Sequence, residues 1–410
     1  MVSEIKLDFR LAKFDDADKV LRAIAKEALE FLFQKVNVNK IKCILLTGSV
    51  ANGEGTMIKH NSSIITSDFD FVVYLDFPCY LKYNNYFQNL SREISRTFKN
   101  KGFDTHIEFL PSNWILQKII AKLTNQGIYE YEFAFASRCI FGERLFSNKI
   151  VRPSKRDALE LAFTVVSDLV FSNLKNLSKF KESYIYAKRA LTLLNSILIF
   201  HGYFAKTYEQ RIKIAKDCAS SKIIPINEDE IKVLQLYTEY KLSGSLDKIL
   251  NSMGYDNIAD LIQFQKRFLR NLTAKIVYHE LNNIFIKTEK IEFEEINFLQ
   301  SSKFHKLLMG YFQLSEARLL SRILGITLYV AWSFTRNRTR KELFATFLFH
   351  KQPPKVILNV LTLLLLIYGN DLFENQFLEK IFPWMRLDTE IEPLQSLFFV
   401  WHTAEQSIKL

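Results

Sequence analysis

Cysteine, glycine and proline are all scarce in this chain, and cysteine is never paired at close spacing. The four cysteines, Cys43, Cys79, Cys139 and Cys218, lie far apart with no CxxC among them. That argues against a disulfide framework or a zinc knuckle and suits a reducing cytosol, so a cytoplasmic protein is expected. Only 12 glycines and 8 prolines punctuate 410 residues. With turn formers so few and apolar-periodic stretches so long, the chain reads as helix-rich. A long hydrophobic run is also missing. The longest, "VILNVLTLLLLIY" at Val356–Tyr368, falls short of the roughly 20 residues that span a bilayer. It reads as a buried core helix, and no stable membrane insertion is expected. The opening segment, "MVSEIKLDFRLAKFDDADK", carries charges throughout and no apolar signal core, so no secretion signal is read.

Apolar residues, by contrast, are plentiful. The chain is 48% hydrophobic, with 36 Phe and 17 Tyr, which is ample for a buried core and excludes general disorder. The net charge of +11 is uneven: +3 over residues 1–150 and +8 over residues 151–410. Such a surplus tolerates an anionic partner such as a nucleotide or a nucleic acid without requiring one.

Residues 15–36 mix apolar and charged residues at helical spacing, with Leu21, Ile24, Ala25, Ala28 and Leu32 on one face. "IKCILLT", Ile41–Thr47, reads as a buried strand and "SDFDFVVYLD" as a second. A helix over Tyr86–Lys99 follows, then a third strand, "DTHIEFLP", stopped by Pro111. After about residue 150 long amphipathic segments take over, at 155–179, 182–203, 207–217, 228–241, 258–285, 303–324, 341–349 and 355–368. The expected architecture is α+β: a small mixed-sheet domain over 1–150, then a large all-α domain over 151–410, with a further division near 250–257 left open.

The residues that carry chemistry cluster in the first part. Asp68 and Asp70 are two apart on an expected strand, so they share a face while Phe69 and Phe71 point to the core. Two carboxylates so close repel unless a cation sits between them, and Mg²⁺ suits such hard oxygen donors. On the third strand Asp104, His106 and Glu108 alternate onto one face. Glu108, flanked by apolar residues, is preferred over Asp104 as a third acidic ligand; His106 reads as a packed or hydrogen-bonded histidine. The apolar strand before them ends at Gly48-Ser49. There the serine hydroxyl and the following N–H groups, if they begin a short helix, form an anion pocket. An acidic strand end and an ordinary strand-to-helix turn are the plainer readings of these pieces taken singly.

Together, Gly48-Ser49, Asp68-Phe69-Asp70 and Glu108 resemble the signature of the DNA-polymerase-β-like nucleotidyltransferase superfamily. "ASRCIFGERLF", Ala136–Phe146, looks like the stretch that commonly follows this core. The resemblance covers roughly residues 15–150. One departure is the 18 residues between Ser49 and Asp68, in which "MIKHNSSIITS" looks like an inserted loop. The resemblance implies a nucleoside triphosphate, ATP foremost, with its phosphates on Gly48 and Ser49. It implies two Mg²⁺ ions held by Asp68, Asp70 and Glu108, and attack of an acceptor hydroxyl on the α-phosphate with loss of pyrophosphate. It also implies a helical domain packed on the sheet. Glu182–Gly202 looks like such a helix, with Tyr184, Lys188 and Leu191 on one face. There Lys188 would reach the triphosphate and Tyr184 the base. A snorkelling lysine beside a packed tyrosine is the plainer reading.

The expected activity is therefore transfer of a nucleoside monophosphate to a hydroxyl on a small molecule or protein. An RNA-end or tRNA nucleotidyltransferase is the alternative, with the basic helical half as an RNA platform; "TRNRTRK" at Thr335–Lys341 could touch RNA phosphates or lipid headgroups, and its plainer reading is a solvated loop between helices. A non-catalytic nucleotide sensor and a metal-dependent glycosyltransferase are the remaining readings.

Overall fold

A computed structural model describes residues 5–60, 63–113, 131, 135–143, 152–172 and 178–285. The basic Thr335–Lys341 segment, the apolar Val356–Tyr368 run and the helices expected beyond residue 285 lie outside the described residues. Among the described residues the elements run as follows. Helix α1 is Asp15–Lys35. Strand β1, Ile41–Thr47, leads into the short helix α2, Gly48–Ala51. Strands β2 (Met57–His60), β3 (Ser63–Thr66) and β4 (Phe69–Leu75) come next. Helix α3 is Phe77–Asn100, followed by β5 (Phe103–Asp104), β6 (Ile107–Ser112) and β7 (Arg138–Gly142). The later helices are α4 (Lys155–Ser172), α5 (Lys179–Phe200), α6 (Tyr208–Ser220), α7 (Glu228–Ser243), α8 (Leu246–Met253) and α9 (Ile258–Phe285). The class is α+β. None of the described helices is long and apolar enough to cross a membrane.

Two compact units divide the chain. The first joins Met1–Ala158 with Lys179–Gln265. The second holds Leu159–Ser178 and Lys266–Lys409, in which the described residues are 159–172, 178 and 266–285. There Phe163 and Val166, and separately Leu272, Ile276 and Leu281, are buried.

The first unit is built on a four-stranded sheet of order β6-β4-β1-β7. Strand β1 is antiparallel to both β4 and β7, and β4 is parallel to β6. Alternation along each strand sorts its residues between two faces. One face carries Ile44, Leu46, Phe69, Phe71, Val73, Ile107, Phe109 and Ile140, all buried in one cluster with α1 and α3. Phe71 lies between Phe69 and Phe109, with ring centroids 6.0 and 5.5 Å away. The expected α1 stripe of Leu21, Ile24, Ala25, Ala28 and Leu32 is buried in this cluster. Three aspartates in the first turn of α1 favour its positive end. The other sheet face carries a smaller apolar group, Cys43, Leu45, Val72 and Tyr74. No disulfide joins any two of the four cysteines, and the Cys43 and Cys139 sulfurs lie 3.6 Å apart.

Several sequence-derived boundaries shift, each for a local reason. Helix α3 starts at Phe77, nine residues before the expected Tyr86, with Asp76 at its N-cap position and a proline in its first turn. The expected third strand is two pieces. Thr105 and His106 interrupt it, and Asp104 belongs to β5 in a separate sheet of order β2-β3-β5. Strand β6 continues through Pro111, opposite Val73, to Ser112. Proline is tolerated because β6 is an edge strand, where a missing N–H breaks no ladder. The stretch that looked like an inserted loop forms the antiparallel hairpin β2–β3. Helix α8, absent from the expected segments, is short and is capped by Ser245, which accepts a hydrogen bond from Lys248 N at 3.4 Å.

Candidate functional site

The site lies at one end of the four-stranded sheet, where register brings distant residues side by side. Thr47, the last residue of β1, pairs with Asp70 on β4. Asp70 pairs in turn with Glu108 on β6. Because paired residues in neighbouring strands share a face, Asp70 and Glu108 lie opposite the Phe71–Phe109 core side. Both are half-buried. Asp68, expected on the same strand, stands just before β4, two residues from Asp70. The Thr47 hydroxyl donates to the Asp70 carbonyl at 3.3 Å.

The strand-to-helix turn sits against the same carboxylate. Gly48 has φ of +74°, the left-handed region that glycine enters without cost. A Cβ there would lie 3.4 Å from Asp70 Oδ2, so the glycine keeps the turn close beside that acid. The turn closes on Ser49, whose carbonyl accepts the N–H of Asn52 at 3.2 Å and of Glu54 at 2.9 Å. Ser49 is half-buried.

Lys188 on α5 donates to Asp68 Oδ2 at 2.9 Å, with the two side chains 35% and 44% exposed. Burial pushes the Asp68 carboxyl up, but the Lys188 charge and hydrogen bond, with His106 and Lys241 behind them, carry it down to about 2. Lys188 is correspondingly held above the usual lysine range by Asp68. Here Lys188 neutralises an acid. Tyr184, one turn earlier, is 9% exposed and packs edge-on to Tyr240 at 6.0 Å. The Lys241 ammonium sits 5.3 Å from its ring centroid. Leu191 is buried in the core.

Asp104, the alternative third acid, is drawn elsewhere. Its carboxylate accepts from Lys181 on α5 at 3.0 and 3.3 Å. Among the described residues no three His, Cys, Asp or Glu side chains converge as a ready-made metal cluster. The donor chemistry nevertheless fits a hard divalent cation: Asp70 and Glu108 are register neighbours on a half-buried face, and Asp68 stands beside them under a cation of its own.

Two residues of this region escaped the sequence reading. Lys241 on α7 is 1% exposed. Its ammonium donates to Thr56 Oγ1 at 2.8 Å and Ser67 Oγ at 3.1 Å, so it clamps the base of the β2–β3 hairpin immediately before Asp68. Across that base the Thr56 N–H donates to Ser67 Oγ at 2.8 Å, and the Ser67 N–H returns to the Thr56 carbonyl at 2.9 Å. The available signal was a lysine in line with Leu234, Tyr237 and Thr238 on the apolar stripe of its helix. Glu54 is 6% exposed, and its carboxylate accepts the N–H of Tyr208 at 2.6 Å. Beyond two flanking glycines, nothing in the sequence marks it.

The class these observations define is an α+β protein with carboxylates and a Gly-Ser turn gathered at one end of a mixed sheet. No protein-family model matches the chain, and no curated protein matches it. Among solved structures it is similar to a spectinomycin adenyltransferase from Enterococcus faecialis, crystallised with ATP and spectinomycin. That match covers 60% of this chain and 98% of that one, at 14% identity and a TM-score of 0.35. Overlap at that level identifies no family, and the site is read from its own residues.

Proposed function

We propose that the chain is a metal-dependent nucleotidyltransferase that moves a nucleoside monophosphate, AMP foremost, from a nucleoside triphosphate to a hydroxyl on a small molecule or protein. The observation that carries this reading is the register Thr47–Asp70–Glu108. It sets a Gly-Ser turn and two acids beside one another at the same sheet end, with a third acid two residues away.

In this reading the Gly48–Ser49 turn binds the phosphates through its N–H groups and the serine hydroxyl. Lys188 exchanges its bond to Asp68 for one to the triphosphate, so Asp68 becomes available as Lys188 meets the ligand. Asp68, Asp70 and Glu108 would hold two Mg²⁺ ions, which supply neutralisation of the charge on the transferring phosphoryl group. Glu108 orients the acceptor hydroxyl and takes its proton. Placement of reactants and fixed charges accounts for the rate in such chemistry.

The deciding experiment offers each α-labelled nucleoside triphosphate, with Mg²⁺, to total tRNA, a protein extract and a small-molecule pool. Label transfer by the wild type, lost in the Asp68→Ala/Asp70→Ala double variant, is expected. The labelled pool identifies the acceptor class. Absence of transfer from every nucleotide to every pool refutes the reading.

A further inference from the structure

Glu54 takes no part in the chemistry above, yet it is buried where a carboxylate is costly to keep. Its two bonds run to opposite sides. Its backbone N–H donates to the Ser49 carbonyl at 2.9 Å and closes the Gly48–Ser49 turn. Its carboxylate accepts the N–H of Tyr208, the first residue of α6, at 2.6 Å. The chain leaves no slack on the far side. The next N–H, of Gly55, donates to the Leu11 carbonyl at 2.8 Å, and a Cβ on Gly55 would lie 2.5 Å from that oxygen. The turn is thereby tied to α6 through one side chain. The groups acting on that carboxyl are Arg211, Glu209 and the Tyr208 N–H from α6, and Lys241 from α7. Burial is the largest influence and pushes the carboxyl up to about 7, against the Tyr208 N–H, Arg211 and Lys241, which favour the charged form.

We propose that Glu54 is the positioning residue of the Gly48–Ser49 turn, and that proton uptake by its buried carboxyl is coupled to phosphate binding on that turn. This rests on the nucleotide reading of the turn. Phosphate oxygens bring negative charge to the loop that Glu54 closes, while the Mg²⁺ ions of that reading would sit against Asp68, Asp70 and Glu108, in surroundings that screen charge poorly. Bound phosphate therefore disfavours the ionised carboxylate, and a proton passes from solvent to the Glu54 oxygen. By reciprocity, neutral Glu54 favours phosphate. Nothing in the ligand is bonded or broken in this step.

The test uses the full chain with Mg²⁺ and α,β-methylene-ATP, titrated calorimetrically from pH 6 to 8.5 in the wild type, Glu54→Gln and Glu54→Ala. Amide exchange across residues 48–54 is followed without nucleotide. The ligand's own titration is common to all three proteins, so the difference between them is read. Relative to Glu54→Gln, which keeps the acceptor oxygen and loses the charge, wild-type affinity is expected to fall about threefold or more across the range. Glu54→Ala is expected to speed exchange at the turn about tenfold, as loss of a buried bond implies; Glu54→Gln leaves it slow. A Glu54→Gln profile that tracks the wild type, or unchanged exchange in Glu54→Ala, overturns the proposal. If the wild type binds no nucleotide at any pH, the nucleotide reading and the coupling both fall, and exchange alone decides the positioning role. Should Glu54→Ala not fold, the Glu54→Gln profile still decides.

Discussion

Replacing Lys188 with methionine tests the electrostatics of the site most directly, because it keeps much of the side-chain volume and removes the charge beside Asp68. In the folded protein Asp68 titrates near 2, against an ordinary value of 3.8. A carboxyl depressed in this way stabilises the fold above pH 3.8, and that contribution is lost as pH falls through about 2. The fall from 3.8 to about 2 corresponds to about 2.5 kcal/mol for a group shut off from water. Asp68 and Lys188 are 44% and 35% exposed, so solvent screening cuts this to about 1 kcal/mol. Lys188→Met is therefore expected to lose about 1 kcal/mol in urea denaturation at pH 7, and less at pH 3. Carboxyl-carbon NMR of Asp68 should show its midpoint rising by about one unit or more, since burial then acts without the nearest cation. A stability difference that is the same at pH 7 and pH 3, with an unmoved Asp68 titration, would refute the reasoning.

Other outcomes follow from single contacts. Glu54 shows the opposite sign to Asp68: its folded value of about 7 exceeds the ordinary 4.5. The fold thus gains stability that is full below pH 4.5 and lost as pH rises through 7, about 3 kcal/mol in all. Glu54→Gln should flatten that slope in denaturation curves taken between pH 5 and 8. Gly55→Ala places a methyl 2.4 Å from Leu21 Cδ1 and 2.5 Å from the Leu11 carbonyl oxygen. It should cost about 1–3 kcal/mol by overpacking, visible as a lowered denaturation midpoint. Phe71→Ala, at the centre of the Phe69–Phe71–Phe109 stack, should cost about 3–5 kcal/mol, measured the same way.

Much of the sheet is legible in the sequence. The β1 bounds at Ile41 and Thr47 agree because a buried strand is a continuous apolar run that ends at a turn residue. The α1 stripe was readable because its period is local. The break between Asp104 and Ile107 was not, since alternation continues through the interruption and only strand pairing shows that two sheets share the segment. The same holds for Pro111, whose place depends on β6 being an edge. Lys241 and Glu54 were missed because burial of a charged residue is set by elements far away in the chain, α7 against the β2–β3 hairpin and α6 against the turn.

The sequence by itself determined what lies within a few residues: helical stripes, apolar strands, the side of the strand that Asp70 takes and the Gly-Ser break. These depend on local dihedral preference and side-chain period. Tertiary structure alone decided that Asp70 stands beside Glu108 while Asp104 is committed to Lys181. It decided too that Lys188 answers Asp68, that Lys241 is buried against the base of the β2–β3 hairpin, and that Glu54, unmarked beyond its flanking glycines, is buried beside the turn. Strand register and long-range charge pairing join residues tens to nearly two hundred positions apart, and no local period encodes such distances.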